Sequence, residues 1–162
     1  MLAVETWPVE RVIPYPNNPR RISQAAIEKV AALIQEVGWR QPIVVDEEGV
    51  IIVGHTRLKA AQHMGLKNVP VHIAHGLTPE QAQAYRLGDN RTHEEASWDR
   101  ELLNLELTAL DAAGFDLKLT GFDALELPTI TPDFAPLPEG DVKPLDKTNP
   151  IACPACGHEF HK

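Results

Sequence analysis

Val50-Ile51-Ile52-Val53-Gly54-His55-Thr56-Arg57-Leu58-Lys59-Ala60-Ala61-Gln62-His63 is the stretch on which the fold turns. Four β-branched residues in a row read as a buried strand. Gly54 breaks that run, and His55 through His63 has the composition of a helix. A glycine at a strand end lets the chain turn tightly and lets backbone approach a ligand. The helix after it offers unpaired N–H groups and the positive end of its dipole, which suits an anion. Thr56 adds a hydroxyl, and Arg57 a planar fork that grips phosphate oxygens two at a time. His55 can donate or accept near neutral pH. The same residues also fit an ordinary strand-to-helix turn with a surface arginine, because short patterns of this kind recur without function.

Upstream, Pro42-Ile43-Val44-Val45 pairs naturally with the quoted strand through Asp46-Glu47-Glu48-Gly49 as a hairpin. Before it, Ser23 caps a helix whose Ile27, Val30, Ala31, Ile34 and Val37 share one face, and Gly38 ends it. Pro14, Pro16 and Pro19 force an extended loop ending in Arg20 and Arg21. Val9-Glu10-Arg11-Val12-Ile13 alternates and predicts a short strand. Downstream, Val69-Pro70-Val71-His72-Ile73 predicts a strand, with Pro70 marking an edge or a strand start. Thr78-Pro79-Glu80-Gln81 opens a helix expected to reach about Leu87 and stop at Gly88-Asp89-Asn90. A longer helix is expected over roughly Asp99 to Ala113, with no helix-turn-helix legible after residue 95. From Pro128 to Pro150 proline is frequent and periodicity vanishes, which reads as a linker.

The elements add up to a small α/β (α+β) domain with a mixed sheet and flanking helices, then a helical extension and a Pro-rich tail. The boundaries fall at 1–95, 96–127, 128–150 and 151–162. The net charge of −8 argues against coating DNA by bulk electrostatics. Its distribution is uneven. Residues 1–92 hold 10 Lys/Arg against 9 Asp/Glu, whereas residues 93–162 hold 5 against 14. Phosphate chemistry therefore belongs to the first half, and the acidic half reads as a solvated or protein-facing surface. No apolar run approaches the roughly 20 residues that span a bilayer, and the N-terminus lacks a secretory pattern, so a cytoplasmic location is expected.

Four blocks, in order, make the chain resemble the N-terminal domain of the ParB/sulfiredoxin superfamily across about residues 9–95. Ile13-Pro14-Tyr15-Pro16-Asn17-Asn18-Pro19-Arg20 is similar to its opening proline-rich box. Gly38-Trp39-Arg40-Gln41-Pro42 is similar to its Gly-x-x-Gln-Pro block, which contacts base and sugar in nucleotide-binding members. Gly54-His55-Thr56-Arg57-Leu58-Lys59-Ala60-Ala61 resembles the Gly-Glu-Arg-Arg-x-x-Ala phosphate box. Asp89-Asn90-Arg91 stands where many members place Glu-Asn and a basic residue for metal and triphosphate. The resemblance implies nucleotide and phosphate contacts from Arg20, Gln41, Pro42, Gly54, His55, Thr56, Arg57, Asn90 and Arg91. It also implies Mg²⁺ at Asp89 and Asn90, arriving with CTP or ATP. His55 and Asp89 are the candidate catalytic residues, with Glu47 a further candidate base.

Departures sharpen the expectation. His55 stands where sulfiredoxins have their catalytic cysteine, which argues against sulfinic-acid reduction. His55-Thr56 replaces the Glu-Arg of segregation proteins, and Gly-His-x-Arg is also similar to free-serine kinases of the superfamily. Residues 85–127 resemble ParB-like domains of phage and mobile elements, often found beside DNA methyltransferases. The leading expectation is an NTP–Mg²⁺ binding module with slow NTPase activity in a DNA-related role, reaching DNA directly or through a partner such as a methyltransferase or another phage protein. Dimers are common in the family. The alternatives are a DNA nuclease or small-molecule kinase, or an adaptor with a vestigial pocket. At the end of the chain, Cys153, Cys156, His158 and His161 are of the right type for Zn²⁺. A single residue separates the two pairs, so the knuckle is expected to be incomplete within one chain.

Overall fold

The computed structural model describes residues 3–122, residue 126, and the backbone of 151–152 and 159–160. Contacts divide the chain into residues 1–131 and 132–162. The first unit is a mixed α/β structure. Strand β1 (Glu5–Pro8) leads into a single 3-10 turn, Val9–Arg11. Helix α1 (Gln24–Val37), strands β2 (Ile43–Val45) and β3 (Ile51–Val53), helix α2 (His55–His63) and strand β4 (Asn68–Ile73) follow. Helices α3 (Pro79–Glu94) and α4 (Arg100–Ala112) and a second 3-10 turn, Leu117–Thr120, complete it. In the second unit β5 (Ile151–Ala152) and β6 (Glu159–Phe160) pair antiparallel.

The sheet order is β1-β4-β2-β3. Strand β4 is antiparallel to β1 and parallel to β2, and β2 is antiparallel to β3. The hairpin is closed by Asp46, whose carboxylate accepts the Val50 N–H at 2.7 Å. Alternation then sorts its side chains. Ile43, Val45 and Ile51 join the core with Trp7, Val9, Val12, Leu58, Ala61, Val69 and Val71. Burying a side chain such as Leu58, 1% exposed, stabilises by about 2 kcal/mol. Helix α2 thus lies on the sheet through Leu58 and Ala61, and α1 packs against α2. Ile13, next to the prolines, pairs with β3: its carbonyl accepts the Ile51 N–H at 2.9 Å, and its N–H donates to Gly49.

Three sequence expectations are corrected. The first strand is Glu5–Pro8, not Val9–Ile13. Val9 and Val12 are buried three residues apart, the spacing of a 3-10 turn, while Ile13 is 47% exposed. Pro70 lies in an interior strand of the sheet. It is tolerated because β2 pairs only from Val71 onward, leaving β1 as the one neighbour there. Helix α3 does not stop at Gly88-Asp89-Asn90 but continues to Glu94. The Asn90 amide donates back to the Arg86 carbonyl at 2.8 Å, Thr92 donates to Gly88, and Arg91 pairs with Glu94 and Glu95. These contacts offset the roughly 1 kcal/mol cost of an interior glycine. Among the described residues no helix is long and apolar enough to cross a membrane.

Candidate functional site

Helices α1, α3 and α4 each begin with a side-chain cap, from Ser23, Thr78 and Asp99 respectively. Helix α2 begins on Gly54, which has no side chain to satisfy the first amides. Gly54 has φ 111, a left-handed conformation that favours glycine. A Cβ there would sit 3.4 Å from the Ile43 Cα and 3.5 Å from the Arg57 guanidinium carbon. The uncapped helix start opens into a cleft of about 800 Å³, within the size range of small-molecule sites.

The cleft gathers residues from every block of the first unit. Gly54, His55, Thr56 and Arg57 line it from α2, Gln41 and Pro42 from the turn before β2, and Asp89 and Asn90 from α3. Arg20 comes from the proline-rich loop. Val44 and Ile52, which alternate with the core-facing residues of β2 and β3, line it as well. Of the eleven residues assigned from sequence outside the tail, nine meet here. Arg91 does not: it lines a neighbouring 150 Å³ pocket and pairs with Glu94 and Glu95. Glu47 is elsewhere too, its carboxylate accepting the Gly76 N–H and pairing with His75. The tail residues Cys153, Cys156, His158 and His161 lie outside the described residues.

Arg57 joins two sequence blocks. One guanidinium nitrogen donates to the Gln41 carbonyl at 2.8 Å and the Pro42 carbonyl at 2.6 Å. The Gln41 carbonyl also accepts the Trp39 indole N–H at 2.7 Å. Burial lowers the proton affinity of Arg57, and the Asp89 carboxylate opposes that shift. His55 Nε2 accepts the Tyr15 backbone N–H at 3.2 Å. Burial, then the charges of Arg86 and Lys59, hold the His55 pKa below 6.5, so the ring is neutral at physiological pH. The lone pair that a general base would use is therefore already engaged.

Reading the sequence missed Asn18, Arg21, His93 and Glu94, which also line the cleft. Glu94 pairs with Arg20 across 74 residues of chain. It missed Arg86 too. That guanidinium donates to the Ile51 carbonyl at 2.9 Å, pairs with Asp46 at 2.9 Å, and lies 4.2 Å over the Tyr15 ring. No local pattern flags an arginine in the middle of a helix for such a role.

Asp89 and Asn90 bear on the expected metal. The Asn90 amide nitrogen is engaged by the Arg86 carbonyl, which leaves its side-chain oxygen as the available donor. Among the described residues no three His, Cys, Asp or Glu side chains gather to hold an ion. That donor set fits a Mg²⁺ that brings most of its ligands with it as waters and phosphate oxygens.

A family model described as the ParB N-terminal domain matches residues 2–91. A second, described as the ParB-methyltransferase HTH domain, matches residues 101–155 and stands against the sequence reading, which finds no helix-turn-helix there. The ParB-like nuclease domain-containing protein YnaK of Escherichia coli (strain K12) is 38% identical over 76 residues, 47% of this chain and 87% of that protein. The probable chromosome-partitioning protein ParB of Campylobacter jejuni is 33% identical over 70 residues, and the match covers 41% of this chain and only 25% of that protein. Among solved structures, the C-terminally truncated chromosome-partitioning protein ParB from Caulobacter crescentus, complexed with CTP-gamma-S, is similar with a TM-score of 0.56 and 27% identity, covering 67% of this chain and 62% of that one.

Proposed function

This chain belongs to the ParB N-terminal domain family, within the ParB/sulfiredoxin superfamily, and on that premise we propose that its cleft binds a nucleoside triphosphate, CTP or ATP, together with Mg²⁺. The carrying observation is the convergence of nine sequence-assigned residues on one 800 Å³ cleft at an uncapped helix start. The phosphates lie against the α2 amides, Thr56 and Arg57, where unpaired donors and the helix dipole favour negative charge. Asp89 and Asn90 hold the Mg²⁺ from the facing helix, and the metal supplies neutralisation of phosphate charge. Arg20 and Gln41 orient the remainder of the nucleotide. The Caulobacter relative, which carries CTP-gamma-S, supports a nucleotide of this class.

Binding serves a DNA-related role, with nucleotide occupancy changing how the acidic second half meets DNA or a partner protein, a methyltransferase among the candidates. The helix-turn-helix match over residues 101–155 supports that part of the reading. Any hydrolysis is slow, because His55 has no free lone pair with which to activate water. A zinc ion at Cys153, Cys156, His158 and His161, completed by a second chain, remains part of the proposal.

Calorimetric titration with CTP, ATP and GTP, each with Mg²⁺, tests the central claim. Saturable binding of one nucleotide, weakened at least about 30-fold in Arg57→Ala, is the expected result. Absence of binding by every nucleotide overturns it. The name of the YnaK relative favours one second reading, a DNA nuclease. Nicking of supercoiled plasmid by the wild type and not by Asp89→Ala would move the conclusion there.

A further inference from the structure

Tyr15 is held from two sides. Its backbone N–H donates to His55 Nε2, 40 residues away, at 3.2 Å. Its ring lies beneath the Arg86 guanidinium, itself fixed by Asp46 and the Ile51 carbonyl. The loop that Tyr15 opens has few ways to be tied down, because Pro16 and Pro19 have no N–H to give. Two of its other amides are satisfied within the loop, Asn18 by the Tyr15 carbonyl and Arg20 by the Asn18 side chain. The Tyr15 amide is thus the loop's backbone tether to α2. Beyond it, Asn18, Arg20 and Arg21 form one wall of the cleft.

We propose that His55 is a positioning residue: as a neutral acceptor for the Tyr15 amide it holds the proline-rich loop against the phosphate cradle, and its protonation releases that loop and weakens ligand binding. The proposal rests on the cleft being the nucleotide site. An imidazole accepts through Nε2 only when its proton sits on Nδ1. A second proton removes the acceptor and sets an amide N–H against an imidazolium. It also adds a cation facing Arg86 on α3 and Lys59 on α2. Arg20 and Tyr15 share a third, 280 Å³ pocket with His55 on the loop side. Of the acids around these cations, Asp46 pairs with Arg86 and Glu94 with Arg20, and Asp89 lines the same cleft as His55. Burial first, and then the Arg86 and Lys59 charges, depress the pKa of His55.

Imidazole ¹⁵N NMR, amide hydrogen exchange and CTP–Mg²⁺ calorimetry between pH 7.5 and 5.5 test this on the full chain. The wild type should show the Nδ1–H tautomer at pH 7.5 and a protected Tyr15 amide. On acidification that protection should fall about tenfold beyond the intrinsic pH effect, and CTP affinity about tenfold with it. His55→Gln keeps an acceptor that does not titrate, so it should retain protection and lose the His55-dependent part of the profile. The γ-phosphate titrates in the same range, and His55→Gln isolates that contribution. His55→Leu should lose protection at every pH. An Nε2–H tautomer in the wild type, or a pH profile unchanged by His55→Gln, overturns the proposal even if His55→Leu fails to fold. If no nucleotide binds, the tautomer and exchange measurements still decide whether His55 is the tether.

Discussion

Arg57 gives one guanidinium nitrogen to two backbone carbonyls before any ligand arrives. Arg57→Ala therefore removes more than a phosphate contact. It strands the Pro42 carbonyl, and a loss of about 1–2 kcal/mol in stability is expected in urea denaturation alongside the loss of binding. Gly54→Ala separates geometry from charge. At φ 111, with Ile43 3.4 Å from the new Cβ, it should destabilise by about 1–2 kcal/mol, measured by thermal unfolding. The chemistry of these residues was legible because a glycine between a strand and a helix and an arginine in the first turn are local features. Arg86 was not legible: its partners Asp46, Ile51 and Tyr15 are far away in sequence, and nothing near it marks their approach.

Helix α3 shows how an element is misread and why that matters. Gly88-Asp89-Asn90 has turn chemistry, and sequence reading ends the helix there. Back-bonding by Asn90 and Thr92 and the Arg91 ion pairs carry it through to Glu94. Asp89, Asn90, His93 and Glu94 then line the cleft from successive turns of one helix. Gly88 has open space around its missing Cβ and an ordinary φ. Gly88→Ala should raise stability by about 0.5–1 kcal/mol in thermal unfolding, without steric penalty. Arg86 ties the same helix to β3 and the hairpin turn, its side chain 11% and that of Asp46 19% exposed. Arg86→Met should cost about 2 kcal/mol in chemical denaturation, less than the 3–5 of a wholly buried pair.

Across the whole molecule, four sequence blocks in order indicated the fold, but not the distances between them. Those depend on strand pairing, and the parallel neighbour of β2 is β4, separated from it in the chain by β3 and α2. The cleft residues all lie within residues 1–131. A chain ending at residue 131 should bind CTP–Mg²⁺ with the affinity of the full chain, as calorimetry would show. Stability should also carry the mark of His55. Its folded pKa lies below 6.5, so the unfolded chain takes up its proton first. The contribution is full above pH 6.5 and is lost as pH falls from there through the native pKa. Urea denaturation at pH 7.5 and 5.5 should show a drop that is smaller in His55→Gln.

A sheet of three- to six-residue strands would ordinarily leave an outer row of amides and carbonyls able to recruit a foreign strand. Here the start of the outer row on β3 is already occupied: Ile13 takes the Ile51 N–H and Arg86 the Ile51 carbonyl. Pro14, next along, has no N–H to extend the pairing. At the other margin β1 ends at Pro8 after four residues. The loop that walls the cleft thus also covers the sheet at Ile51, where a foreign strand would otherwise pair with β3.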